Sequence, residues 1–307
     1  MEGVGIGEFG SIVLMQGFNG LSVFSVLVLM ALGLAIIFGQ MGVINMAHGE
    51  FLTIGAYTTY MLSQLTTTFL PAALPYYFLV AIVVAFILGG AVGYLVELGM
   101  IRHLYKRPLD SLLATWGLSL VMQQVFRSTF GAKEVSATLP DWLLGSWQPT
   151  DSIDIPLNGL FVMALTLLLA FGVWLFMYRS RSGLQMRATT QNRVIAGAVG
   201  INTARVDRMT FAIGCGIAGV AGAAFTTIGS TGPTSGSLYI VDAFLTVVFG
   251  GAQSLMGTIA SAFAISQTNS TLEFFITGSS AKVITLLTII IILMIRPQGL
   301  FSVKVRK

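Results

Sequence analysis

The sequence predicts an all-α fold: a polytopic bundle of membrane-crossing helices, some of them discontinuous or re-entrant. Three observations predict it. Apolar residues make up 55% of the chain and charged residues 9%, where soluble domains carry about 25% charged residues. Apolar runs of spanning length recur, the first clear one being 20–39 (GLSVFSVLVLMALGLAIIFG), about 20 residues, the length that bilayer thickness demands. Short basic loops separate these runs. The mean hydropathy is +0.86, and 307 residues of this composition leave no room for a sizeable soluble domain. A single transmembrane domain is expected over 1–307. The basic balance, pI near 9.3, reflects loop charge dispersed between spans, so no nucleic-acid partner is expected. The lone Cys215 reads as a small packing residue. The start, MEGVGIGEFG, lacks the basic region of a cleavable signal.

Residues 1–19 carry Glu2 and Glu8 without a cation, which fits a non-cytoplasmic N-terminus. After the first span comes MGVINMAHGEFLTIGAYTTYML, 41–62, where Asn45, His48 and Glu50 stand among Gly42 and Gly49. Ionisable groups at membrane depth are costly and tend to face a cavity or a partner. Either the helix breaks here and exposes backbone to a pathway, or this is a solvated cytoplasmic turn. No further ligand cluster makes it a metal site, and the spacing alone makes no catalytic dyad. Residues 63–75, with two prolines, read as an external loop. The span 76–101 carries Gly89 and Gly93 four apart, a close-packing spacing. Glu97 near its inner end is expected to snorkel or pair with Arg102. RHLYKRP (102–108) is a basic cytoplasmic loop. The span 109–126 holds Thr115, Ser119, Gln123 and Gln124. Such residues either bond neighbouring helices or line a path for a polar, neutral solute. The loop 127–156 is external, with Trp142 and Trp147 suited to an interfacial belt. It is a docking surface or merely a solvated loop.

The stretch 179–208, RSRSGLQMRATTQNRVIAGAVGINTARVDR, carries six arginines between two spans. By the positive-inside rule it is cytoplasmic. It holds a short helix signal: Thr190 to cap the start, Val194, Ile195, Ala198 and Val199 as a small apolar stripe, and Gly200 to end it. Such a helix suits docking on a partner. It also suits lying on the lipid surface or simply linking two spans. In the span 209–229, Gly214, Ala218 and Gly222 form a small-residue face. Residues 230–240 should be external and the basic C-terminus cytoplasmic, so with one final span at about 281–295 the segment 241–275 must enter and return. At its middle is GGAQSLMG (250–257). Val241 to Phe249 makes about 14 Å of helix, half a bilayer. Two half-helices meeting inside the membrane are therefore expected, with Gly250, Gly251 and Gly257 at the turn; the alternative is a full hairpin reaching the cytoplasm. Asp242 would lie at the external mouth. This topology puts thirteen of the 16 Lys and Arg residues inside. Two glycine-interrupted polar stretches in opposite halves of the chain point towards a transport pathway, although no sequence repetition between the halves is clear.

On these residues the chain resembles a family. GLAIIFGQMGVINMAHGEFLTIGAY, QMRATTQNRVIAGAVGINTARVDRMTFAIGCGIAGVAGA, VVFGGAQSLMGT and RPQGLF resemble the inner-membrane permease subunits of the branched-chain amino acid family of ABC importers. Ala252 and Gln253 depart from the glycine-containing form of that family. RPLDSLLATWGLSLVMQQVFR, TLPDWL and YIVDAF are more similar to its urea-type members. The resemblance implies a multi-pass protein of the bacterial inner (plasma) membrane, with the N-terminus periplasmic and the C-terminus cytoplasmic. It also implies a second homologous permease subunit, two cytoplasmic ATPase subunits and a periplasmic substrate-binding protein that delivers urea, a short-chain amide or a branched-chain amino acid. The ATPases would dock on the loop bearing Arg187, Thr190, Asn192, Arg193, Ala196 and Gly200. The chain has no nucleotide loop of its own, because Gly251–Thr258 lacks the lysine such a site requires. No cofactor is expected here, ATP being bound by the partners. For a neutral cargo, amides and hydroxyls suffice, which nominates Asn45, Thr115, Gln123 and Gln253, with His48, Glu50 and Asp242 on the same path. A passive channel would need no ATPase. An intramembrane enzyme would have to use Asn45, His48 and Glu50.

Overall fold

The computed structural model describes residues 6–105, 107–150, 153–252, 254–297 and 299–300, with side chains from Leu14 onwards except at 108, 149, 150 and 153. Among them are twelve α-helices, five of them long and apolar enough to cross a membrane. The chain is a polytopic helical membrane protein.

Helix α1 runs Ile6–Met41, 36 residues and about 54 Å. Residues 6–19 belong to this helix. Gly42 ends it at φ +65, its N–H donating to the Phe38 carbonyl at 2.9 Å, the left-handed cap that glycine adopts without strain. After the non-helical residues 43–47, α2 spans His48–Phe69 and takes in most of the expected 63–75 loop. Helix α3 is Tyr77–Gly99 and α4 is Pro108–Phe130, with proline in the first turn, where its missing N–H costs nothing. Glu97 does not pair with Arg102: it accepts from the Tyr105 hydroxyl, because the turn at 101–105 folds Tyr105 back over the helix end. The loop to α6 holds a short helix α5 (Asp141–Leu144) and an antiparallel hairpin, β1 Ser146–Thr150 with β2 Ile153–Pro156. Helix α6 is Leu157–Arg179. Two short helices follow, α7 Arg181–Gln191 and α8 Arg193–Ala198. The last third is α9 Thr203–Phe225, α10 Ser235–Gly250, α11 Leu255–Phe275 and α12 Gly278–Ile295.

The segment 241–275 does turn back on itself, with Gly251 at φ +94. Its first limb, however, begins at Ser235, since 235–240 is helical. The 16 residues of α10 make about 24 Å, more than half a bilayer. The Leu300 N–H donates to the Phe249 carbonyl at 2.8 Å, so the turn lies beside the chain that leaves α12. The long hairpin describes this segment better than two short half-helices. Gly250 and Gly257 meet across the turn, where a Cβ on Gly250 would sit 2.4 Å from Gly257 backbone.

Burial identifies the centre. The apolar windows of α1 and α9 are 78% buried, against 17–22% for α3, α6 and α12. Helix α9 owes its place to small residues. A Cβ on Gly214 would meet the Gly33 carbonyl of α1 at 2.7 Å, one on Gly222 the Leu52 carbonyl of α2 at 1.9 Å, and one on Gly219 the Ala85 carbonyl of α3 at 2.4 Å. Three helices thus approach α9 backbone to backbone.

The packing pattern reveals a repeat that the residues themselves hide. Helix α3 lies on α9 as α11 lies on α1; α2 pairs with α3 as α10 pairs with α11; α4 touches α2 as α12 touches α10, although α12 packs also on α11. Helix α1 ends beside α7, where Thr190 donates to Gln40, while α9 begins beside α8, where Arg193 pairs with Asp207. The two halves therefore run in opposite directions, the arrangement of inverted-repeat transporters. Gly49 and Gly236, at the starts of α2 and α10, touch reciprocally, each blocking a Cβ on the other at 2.0–2.3 Å.

Candidate substrate seam and basic docking face

The break after α1 is buried, not solvated. Asn45 is 1% exposed, and His48 and Glu50 are 0%. Non-helical backbone at this depth must find other partners, and α4 supplies them. The Thr115 hydroxyl accepts from the Met46 N–H at 3.1 Å and donates to the Ser111 carbonyl at 2.8 Å. The Asn45 Oδ1 accepts from the Ala47 N–H at 3.1 Å. On the next turns of α4, Ser119 Oγ and Gln123 Nε2 donate to Glu50 Oε1 at 2.9 and 2.8 Å. Ser111, Thr115 and Ser119 recur every fourth residue and are buried, while Leu113, Trp116 and Leu120 are exposed. The face by which α4 holds the bundle is thus its hydroxyl and amide stripe. Further along, Tyr57 stacks on Phe130 at 4.0 Å and lies 5.5 Å from Phe126.

Among the described residues three buried atoms around this seam have no partner, Asn45 Nδ2, Glu50 Oε2 and the Tyr57 hydroxyl, and neither has His48 Nδ1 on the α1 side. An unsatisfied buried polar group costs about 1–3 kcal/mol. Such a group in a native structure calls for an explanation.

The structure therefore gathers Asn45, Glu50, Thr115 and Gln123. It sends His48 the other way, to the Met30 carbonyl of α1 at 3.3 Å. Asp242 lies on α10, paired with Lys282 at 2.9 Å and away from the seam. Gln253 lies outside the described residues. Among the glycines, Gly42 and Gly251 carry the turns with positive φ, whereas Gly49, Gly250 and Gly257 are close-contact positions within helices. Ser119 and Tyr57 were missed as site residues. Ser119 stands four after Thr115 and four before Gln123, so helical spacing would have found it; Tyr57 gave no such signal.

At the basic end, Ser180 caps α7 by accepting from the Gly183 N–H at 2.9 Å. Asn192 caps α8, its Oδ1 accepting from the Val194 and Ile195 N–H groups at 3.1 and 3.0 Å. This corrects the expectation for Thr190, which sits in the last turn of α7 and donates to Gln40 and to the Met186 carbonyl. Gly200 does end the helix, at φ +89, with the Ile201 N–H donating to the Ala196 carbonyl at 3.0 Å. Val194, Ile195 and Val199 are 82, 60 and 72% exposed, while Ala196 is buried. Arg187 lies over the Tyr178 ring at 5.0 Å. Arg193 pairs with the buried Asp207 and lies over Tyr105 at 5.2 Å. Burial, and then the bond to Glu97, push the Tyr105 phenol well above its usual range, so it stays a donor. The result is an apolar patch on a helix pinned from behind. Asn192→Ala is expected to cost about 1 kcal/mol, confined to α8. Faster hydrogen exchange over 193–198, with the spans unchanged, is the result to look for.

Among the described residues no group of three or more His, Cys, Asp or Glu side chains could hold a metal. Spanning helices in two inverted halves, a buried break and a polar seam define a membrane protein of the transport class. The chain belongs to the family of the branched-chain amino acid transport system, permease component, whose family model matches residues 17–293. It is 28% identical over 301 residues to the high-affinity branched-chain amino acid transport system permease protein LivH of Salmonella typhimurium, covering 94% of this chain and 95% of the relative. LivH of Escherichia coli K12 is 28% identical over 297 residues and BraD of Pseudomonas aeruginosa 28% over 293, with the same coverage. No solved structure matches. The relatives are permease subunits of transporters, not enzymes, and this chain is an ABC-type permease subunit.

Proposed function

We propose that this chain works in a bacterial inner membrane with its arginine-rich end cytoplasmic, its N-terminus periplasmic and its C-terminus cytoplasmic. Two ATPase subunits dock on α8 and bind the ATP. A binding protein delivers cargo to the opposite end. A second homologous permease covers α4 and α12, which present Leu113, Trp116, Leu120, Val283, Leu287 and Ile291 outward. The observation that carries an ATP-driven over a passive mechanism is the pinned α8 with its exposed Val194, Ile195 and Val199. A channel needs no such surface.

Two cargo classes have support. The names of the relatives favour a branched-chain amino acid, and this is the better supported. Urea or a short-chain amide has an observation of its own. The seam runs through the α4 stretch that resembles urea-type permeases, and its described contacts to Glu50 come from a hydroxyl and an amide with no cation. A neutral solute needs none, whereas the carboxylate of an amino acid does. ATP-dependent uptake of labelled leucine against labelled urea, in cells lacking the chromosomal copy, decides between them. Solute flux through proteoliposomes holding this chain alone would overturn the ATP-driven reading.

A further inference from the structure

A cavity of about 290 Å³ lies between α1, α10, α11 and α12, apart from the seam. Val23 and Leu27 of α1 form its apolar wall. Asp242, Asn269, Glu273, Lys282 and Thr285 are among the polar residues that line the rest.

The hydrogen-bonding capacity of this lining is lopsided. The Lys282 ammonium is held by Asp242 at 2.9 Å and donates to the Leu238 carbonyl at 3.1 Å. Asn269 Nδ2 donates to Glu273 Oε1 at 2.8 Å. The donors are therefore largely engaged. Among the described residues, the buried lining atoms left without a partner are Asn269 Oδ1 and Thr285 Oγ1, and Thr285 is only 4% exposed. Two carboxylates face one cation. A ligand carboxylate would meet two like charges and an ammonium already bound. A ligand N–H would meet two free acceptors, Asn269 Oδ1 and the Thr285 hydroxyl, and burial makes an unmet acceptor costly. The volume lies at the low end for ligand sites, which suits a small metabolite whose alkyl part rests on Val23 and Leu27.

We propose that this cavity is a binding site for a small solute that donates N–H groups, whether the ammonium of an amino acid or the amide groups of urea. Its role rests on the transport reading. In the orientation proposed above it lies in the outer half of the bundle, where cargo arrives, and it receives the solute before the seam does.

The test uses the purified full chain in lipid nanodiscs, with binding read by saturation-transfer NMR and folding checked by thermal unfolding. The ligands are leucine, urea and isovalerate, the last having a carboxylate and an alkyl body but no N–H. Leucine or urea is expected to bind and isovalerate not. Asp242→Asn should weaken binding by about tenfold or more, and Thr285→Val several-fold, the latter without a change in unfolding. Folded protein that binds neither N–H solute, or binds isovalerate as well, overturns the site. Loss of binding in Glu50→Gln with retention in Thr285→Val overturns it too, by assigning the ligand to the seam. ATP-driven uptake by the full complex is measured in parallel. Uptake without binding here removes the pocket and leaves the transport reading; binding without uptake does the reverse.

Discussion

Gly222→Val is expected to yield almost no folded protein. A Cβ at this position would lie 1.9 Å from the Leu52 carbonyl oxygen and 2.8 Å from the Ala56 nitrogen. Both are backbone atoms of α2, so no side chain can swing aside. Nor can α9 retreat, because Gly219 is closed by the Ala85 carbonyl of α3 at 2.4 Å and Gly214 by Gly33 of α1. The substitution has to part α2 from α9 along their shared length, and Gly55, whose Cβ would lie 1.8 Å from the Gly219 carbonyl, parts with them. Overpacking usually costs about 1–3 kcal/mol. A clash against fixed backbone belongs at or above the top of that range, a large share of the roughly 5–15 kcal/mol that separates folded from unfolded protein. Gly172→Val is the control. It lies in α6 with nothing within 4 Å of its Cβ. Folded yield and melting temperature in detergent compare the two, and equal values would refute the backbone-contact account of the core.

Small-residue spacing was readable in the sequence, and so was the fold class. Gly214 and Gly222 declared a packing face before their neighbours were known. The break at Gly42 was legible too, because a helix cannot carry glycine, asparagine, histidine and glutamate at membrane depth without cause. The inverted repeat was not legible. It lives in which helices touch, and the two halves place different residues on those helices: Gly49 is followed by Glu50, bound by Ser119 and Gln123, whereas Gly236 is followed by Ser237. The limbs around Gly251 were misjudged because STGPTSGSLYI reads as a loop by composition, yet from Ser235 onwards it winds as helix against Gly49 and Thr53, where the Gly236 N–H donates to Thr53 Oγ1 at 3.0 Å. Local composition cannot show a partner that lies 183 residues away. The α8 cap went to Asn192 rather than Thr190 for a similar reason. Both are competent capping residues, and the choice follows from Gln40, which holds Thr190 inside α7.

Arg193→Leu is expected to leave the ATPase subunits able to bind and to abolish most ATP-driven uptake. The docking patch, Val194, Ile195 and Val199, is untouched by this change. What is lost is the tie behind it. Arg193 is the first residue of α8, and its guanidinium pairs with Asp207 at the start of α9 and lies over Tyr105, which donates to Glu97 at the end of α3. Helices α3 and α9 are the most closely packed pair in the bundle, so a displacement of α8 reaches the core through one side chain. Removing it also strands the Asp207 carboxylate, whose side chain is 3% exposed while that of Arg193 is 45% exposed. Because of that exposure the stability loss sits near the low end for a charged hydrogen bond, about 1–2 kcal/mol. Arg193→Lys keeps the charge but loses the planar fork and the stacking, and should fall between. Stability and coupling are separated by the double variant Arg193→Leu with Asp207→Leu. Replacing both members of a buried pair by apolar groups is often neutral or better, so its melting temperature should return to that of the parent while uptake stays low and ATP hydrolysis continues. Recovery of uptake along with melting temperature would mean that the pair only supports the fold, and the transmission of movement from α8 would have to run elsewhere.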